Sequence, residues 1–399
     1  MDASATAAET GREAAFEALD DALKASGAAA VLDSLIATLT ERAEFRPLLD
    51  AMLLRARHEL DLPLVQPGSL ADLPEPTRTH YEERYVESIR KVGKLMLDHG
   101  EIAAAWPYFR AISEPDQVVR AIEDYSPGTE IDERLGQVVE VAFNQGVSPR
   151  KGFELILKHY GTCSSISAFE GLPQDPAVRQ HCAGKLVRQL HAHLVENLRG
   201  EITRRGQPLP PDGSPIPALI ARREWLFAED SYHIDVSHLS ASVRYSPLLI
   251  DDAEGLALAL ELTEYGRNLS ARHRFEGEPP FDDVFVDHAA YLGVLLGREV
   301  EKGLAHFRSK LVPADPDGRD DNAAVAQALV RLLVRLDRID DAIDVAAEHL
   351  AGVPDSMLNC PSLAQLCHQA GRLDRLSRAS RERDDLVQYA AAILQDERA

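Results

Sequence analysis

The chain has 399 residues, 43 of them Lys or Arg and 65 Asp or Glu, for a formal net charge of −22 with histidine neutral. Nucleic-acid binding by counterion release needs a basic stripe, and the arginine-bearing stretches 331–338 and 372–383 are both broken by Asp or Glu, so neither nucleic acid nor an anionic membrane surface is an expected partner. A 45% share of hydrophobic residues is enough for a packed core and excludes a disordered chain. Met1 to Arg12 carries Asp2 and Glu9 without a basic, apolar leader, and no stretch reaches the roughly 18 apolar residues of a membrane span. Cys163, Cys182, Cys360 and Cys367 are spaced for neither a zinc ribbon nor a dense disulfide framework, which makes the cytoplasm the expected location.

In chain order, Arg12–Lys24, Ala28–Arg42 and Phe45–Leu60 carry apolar residues at three and four spacing on Ala-, Leu- and Glu-rich segments, the pattern of amphipathic helices. Tyr85–Leu97, Ile102–Ile112, Ile131–Asn144, Pro149–His159, Asp175–Ile202, Ile216–Phe227, Ser237–Tyr245, Phe281–Leu296 and Glu299–Leu311 continue it. Strict alternation is nearly absent, so the predicted class is all-α. Proline and glycine interrupt the helices at 62–76, 206–217, 277–280 and 312–321. These breaks suggest four regions: N-terminal helices over 1–61, a helical-repeat region over 77–205, a central helical region over 216–311 and C-terminal repeats over 319–399.

A repeat emerges from the spacing of small and large residues. Gly93, Gly100, Ala105, Phe109 and Ile112 fall on a predicted hairpin that ends near Pro115. The spacing recurs as Val330, Asp337, Ala342, Ala346 and His349 before Pro354, and again as Ala364, Gly371, Leu376 and Ser380. From position 330 to position 364 is 34 residues. This pattern resembles the tetratricopeptide (TPR) repeat, whose small residues let helix A meet helix B and whose aromatic fills the gap between pairs. The resemblance covers about a third of the chain. It implies an α-solenoid of stacked TPR-like hairpins with a protein or peptide as partner, and many helical arrays carry additional sites.

Chemistry concentrates in the central region. Glu229 to His238 gathers Tyr232, His233, Asp235 and His238 before the Ser237–Tyr245 helix, and Asp282 to His288 adds Asp287 and His288 some fifty residues on. Two imidazoles with carboxylates form a ligand set for Zn²⁺, Fe²⁺ or Mn²⁺, with Arg244 available to an anionic substrate group. The same residues equally suit a helix N-cap at Asp235 or Ser237 with no ligand at all. The face of Asp175–Ile202 bearing residues 181, 184, 188 and 191 reads as solvated, and the 159–165 turn as an ordinary helix junction. No phosphate-cradling glycine loop and no G-x-S-x-G occurs. Three functions follow: a partner-binding scaffold, a metal-dependent enzyme built on helical repeats around His233, Asp235 and His238, and a structural subunit.

Overall fold

The computed structural model describes residues 3–65, 72–311 and 321–397. Of the expected breaks at 62–76 and 312–321, residues 66–71 and 312–320 lie outside the described residues. The chain is all-helical: no β-strand occurs among the described residues, and the one extended pairing is an isolated bridge between Glu276 and Asp283. No helix is long and apolar enough to cross a membrane among the described residues. Two compact units divide the chain, Met1–His159 and Tyr160–Ala399.

The first unit contains α1 (Ala3–Ser26), α2 (Ala28–Glu41), α3 (Phe45–Glu59), α4 (Thr77–Asp98), α5 (Ile102–Ala111), α6 (Asp116–Asp124), α7 (Glu133–Val139) and α8 (Pro149–His159), with a π-helical turn at Glu140–Asn144. From α1 to α6 each helix packs against the next, and Leu48, Val92, Ala105, Phe109, Ile122 and Leu135 meet in one core. A Cβ on Gly93 would lie 2.9 Å from Phe109 Cε2, so glycine is what allows α4 and α5 to close on that ring. Trp106 packs partly buried against this core and donates from Nε1 to Gln145 Oε1 at 2.8 Å.

The second unit contains α9 (Gly161–Glu170), α10 (Pro176–Arg204), α11 (Ile216–Ile220), α12 (Val236–Tyr245), α13 (Ala253–Gly266), α14 (Val284–Leu295), α15 (Val300–Lys310), α16 (Asp321–Arg335), α17 (Ile339–His349), α18 (Leu363–Gln369), α19 (Leu373–Glu382) and α20 (Leu386–Asp396). The predicted Ile216–Phe227 helix stops at Ile220, because Arg222 adopts a left-handed φ of 57° and the chain resumes as a 3-10 turn at Glu224. The helix expected from Phe281 starts instead at Val284, where Asp283 caps it through the Phe285 and Val286 amides. From α13 to α20 each helix packs on its successor, whereas α10 gathers α9, α11, α12 and α13 around itself. Tyr291, Leu304, Phe307, Leu329, Leu333, Ile343, Leu366 and Leu376 form a continuous core through the later helices.

The face of α10 read as solvated is packed. Arg188 makes a fork with Asp252, 2.7 Å to Oδ2 and 2.8 Å to Oδ1, and His191 Nε2 meets Glu261 Oε2 at 2.8 Å. Charged residues at helical spacing mark a tether to α13 here, because their partners lie 64 to 70 residues away, beyond the reach of a local pattern.

Helices 4–5, 16–17 and 18–19 are joined by one kind of turn. Gly100, Asp337 and Gly371 take φ of 73°, 57° and 65°, and the next amide donates to a carbonyl five residues back: Glu101 to Met96, Arg338 to Leu333, Arg372 to Cys367. That bond defines the Schellman closure and satisfies an end carbonyl that the helix leaves open. The same closure occurs at Ala43, Ser113, Gly297 and Asp384.

Candidate functional site

The polar residues singled out in the sequence separate into three places in the second unit. Tyr232, His233 and Asp235 line a shallow groove opposite Glu196, Glu201 and Arg204 of α10. Asp235 is the N-cap of α12: its Oδ1 accepts from the Ser237 and His238 amides at 2.9 and 3.2 Å and from Ser237 Oγ at 2.5 Å, and these bonds hold its carboxyl below the usual carboxylate range. His238 therefore enters the first turn of α12 through its amide, with its ring half-buried.

His233 is fixed by Tyr265 of α13. The His233 amide donates to the phenol oxygen at 2.8 Å and Nδ1 lies 3.1 Å from that oxygen, so the phenol proton serves the ring nitrogen. Burial pushes the Tyr265 phenol well above its ordinary pKa, which keeps it a donor, and burial with the nearby Arg204 lowers that of His233. Tyr232, 54% exposed, meets His273 edge-on at 5.1 Å.

Asp287 and His288 stand in the first half of α14, in two different settings. Asp287 is buried: Oδ1 accepts from His306 Nε2 at 2.6 Å, and Oδ2 accepts from Lys310 Nζ at 2.7 Å and from the Asp283 amide at 2.9 Å. Lys310 also donates to the Pro280 carbonyl at 2.7 Å and pairs with Asp282 at 2.6 Å. One ammonium on α15 thus ties the 276–283 loop to the start of α14. Within the loop, Gly277 donates to the Asp282 carbonyl and Phe281 to the Glu278 carbonyl, both at 2.8 Å. A Cβ on Gly277 would lie 1.9 Å from the Phe281 carbonyl oxygen, so only glycine permits this closure.

The tethered loop forms one wall of a cavity of about 480 Å³, lined by Arg244, Glu276, Glu278, Phe281, Val284 and His288. The structure thus brings Arg244 and His288 together. The imidazole is 1% exposed, stacks on Phe281 at a centroid distance of 4.0 Å, and donates from Nδ1 to the Val284 carbonyl at 2.6 Å. Burial lowers its pKa to about 4, so the ring is neutral at pH 7. With Nδ1 as donor, Nε2 carries a lone pair, and no described residue donates to it. Among the described residues neither Arg244, Glu276 nor Glu278 has an ion-pair partner, and the one bond of the Arg244 guanidinium is a 3.4 Å contact with the Glu276 main-chain oxygen.

A smaller cavity of about 280 Å³ lies between α13, α14 and α15, with Leu260, Ala289, Ala290 and Gly293 on its walls and Arg298 and His306 at its polar side. Among the described residues no three His, Cys, Asp or Glu side chains stand close enough together to hold a metal ion. The residues that organise the larger cavity without having been singled out in the sequence are Lys310, His306, Glu276 and Glu278. The four-residue spacing of His306 and Lys310 on one helix face is the signal that points to the first two. Comparison with protein-family models, curated proteins and solved structures returned no match.

Proposed function

We propose that the protein is a cytoplasmic helical-repeat scaffold whose TPR-like hairpins stack as an α-solenoid and bind a protein or peptide partner. The observation that carries this reading is the recurrent hairpin: the turns at Gly100, Asp337 and Gly371 share one hydrogen-bond closure, and the last two are 34 residues apart. Hairpins of this kind bury their apolar faces only against neighbours, which leaves their outer faces free for a partner. The partner belongs on α16–α19, where two hairpins follow at that period. A net charge of −22 draws a basic partner by long-range attraction.

The test is selection of peptides from a randomised displayed library against the full chain, followed by fluorescence anisotropy of the enriched peptide at low and physiological salt. Enrichment of Lys- and Arg-containing peptides whose affinity falls as salt rises supports the reading. Absence of any enriched sequence, or an affinity indifferent to salt, contradicts it.

A further inference from the structure

We propose that the cavity between α12, α14 and the 276–283 loop is a binding site for a free cationic amino acid of the lysine or arginine class. The site stands apart from the scaffold reading, and either can fail without the other.

The cavity wall carries one cation, Arg244, and two carboxylates, Glu276 and Glu278, none of them in an ion pair among the described residues. Opposite charges that share a cavity without touching leave room for a bridging ligand. A net of −1 from these three groups is complemented by a ligand bearing one carboxylate and two cationic groups. A basic amino acid has this composition, with its carboxylate at the guanidinium and its ammonium groups divided between the glutamates.

His288 supplies an independent observation. It is a polar side chain 1% exposed that lines the same cavity, and its Nε2 accepts from no described residue. A ring nitrogen with no donor among the described residues, on a side chain that lines the cavity, is available to an ammonium N–H of the ligand. Phe281, Val284 and Pro279 offer apolar wall for the methylene chain of such a ligand, and about 480 Å³ accommodates a molecule of that size. The wall is built before any ligand arrives, because Lys310 and Asp287 hold the loop and the Gly277 closure sets its turn.

The experiment is calorimetric titration of the full chain with L-lysine, with cadaverine, which lacks the carboxylate, and with L-norleucine, which lacks the side-chain cation. Lysine binds at one saturable site, and cadaverine and norleucine each bind at least about tenfold more weakly, equivalent to ~1.4 kcal/mol. Arg244→Gln brings lysine down to the level of cadaverine and does not weaken cadaverine; Glu276→Gln with Glu278→Gln, which removes both ammonium partners, brings lysine down to the level of norleucine or below. These side chains are exposed, so circular dichroism of the variants matches the parent. In a long-range ¹H–¹⁵N spectrum, lysine shifts the His288 Nε2 resonance from the bare toward the hydrogen-bonded position. No saturable heat at millimolar lysine, norleucine binding as well as lysine, an affinity untouched by the charge variants, or an unmoved Nε2 resonance each overturns the proposal.

Discussion

Lys310 Nζ lies 2.7 Å from Asp287 Oδ2, and through this contact α15 holds the loop that walls the larger cavity. The ammonium side chain is 19% exposed and the carboxylate 3%, so water screens the pair little. Among the described residues Asp287 has no other cation at Oδ2, and its remaining bonds go to His306 and the Asp283 amide. Lys310→Ala therefore leaves a buried carboxylate short of its counter-charge, which costs roughly 3 kcal/mol. Urea unfolding of variant and parent at pH 7 reads this as a lowered midpoint with unchanged slope. Asp287→Ala combined with Lys310→Ala costs less than the sum of the two single changes, because the second change removes a group that is already unpaired.

Gly93 and Phe109 pack small against large across the α4–α5 pair. Phe109→Ala removes a fully buried ring and costs about 3–5 kcal/mol. Gly93→Ala places a Cβ 2.9 Å from the ring and destabilises by about 1 kcal/mol, steric cost outweighing the gain in helix propensity. In a Phe109→Leu background the same Gly93→Ala change becomes neutral or stabilising. A thermal-melting double-mutant cycle checks the reversal of sign.

Asp337 occupies, with φ 57°, the turn position that glycine fills at Gly100 and Gly371. Asp337→Gly relieves the left-handed strain and stabilises by about 0.5–1 kcal/mol, whereas Gly371→Ala costs about 1 kcal/mol. Melting temperatures that move in opposite directions for these two substitutions are the expected result.

His288 sets a pH dependence whose sign follows from its lowered pKa. The folded state holds the ring neutral down to about pH 4, whereas the unfolded chain takes up a proton near 6.5. The resulting stability is complete above about pH 6.5 and is lost as pH falls toward 4, by roughly 3 kcal/mol. Burial is the leading cause, Arg244 and Lys310 act in the same direction, and Asp287 and the Val284 carbonyl oppose it, with Glu276 and Glu278 on the same cavity wall. Unfolding midpoints at pH 7.5 and 4.5 show the loss in the parent and a smaller one in His288→Phe, which keeps the ring stack but cannot titrate.

The helical class was legible because local spacing alone decides it: apolar residues at three and four intervals lie on the helices of both units. The cap at Asp235 was legible for the same reason, since an N-cap needs only its own next three residues. The joint site of His233, Asp235, Asp287 and His288 depends on which helices become neighbours, and spacing carries no information about that. Tyr265, 32 residues from His233, takes up one ring, and Lys310, 23 residues from Asp287, takes up the other carboxylate. The end of the helix from Ile216 and the start of the one expected at Phe281 show the same division. Composition favoured helix through both segments, but Arg222 takes a left-handed φ and the Gly277–Asp282 bond closes the loop ahead of Val284.

The scaffold reading stands or falls on where a partner binds. Hydrogen exchange of the full chain, read by mass spectrometry with and without the enriched basic peptide, tests this directly. The account predicts added protection across α16–α19 that weakens as salt is raised. Protection that leaves α16–α19 unchanged, or is confined to the 276–283 loop, contradicts it.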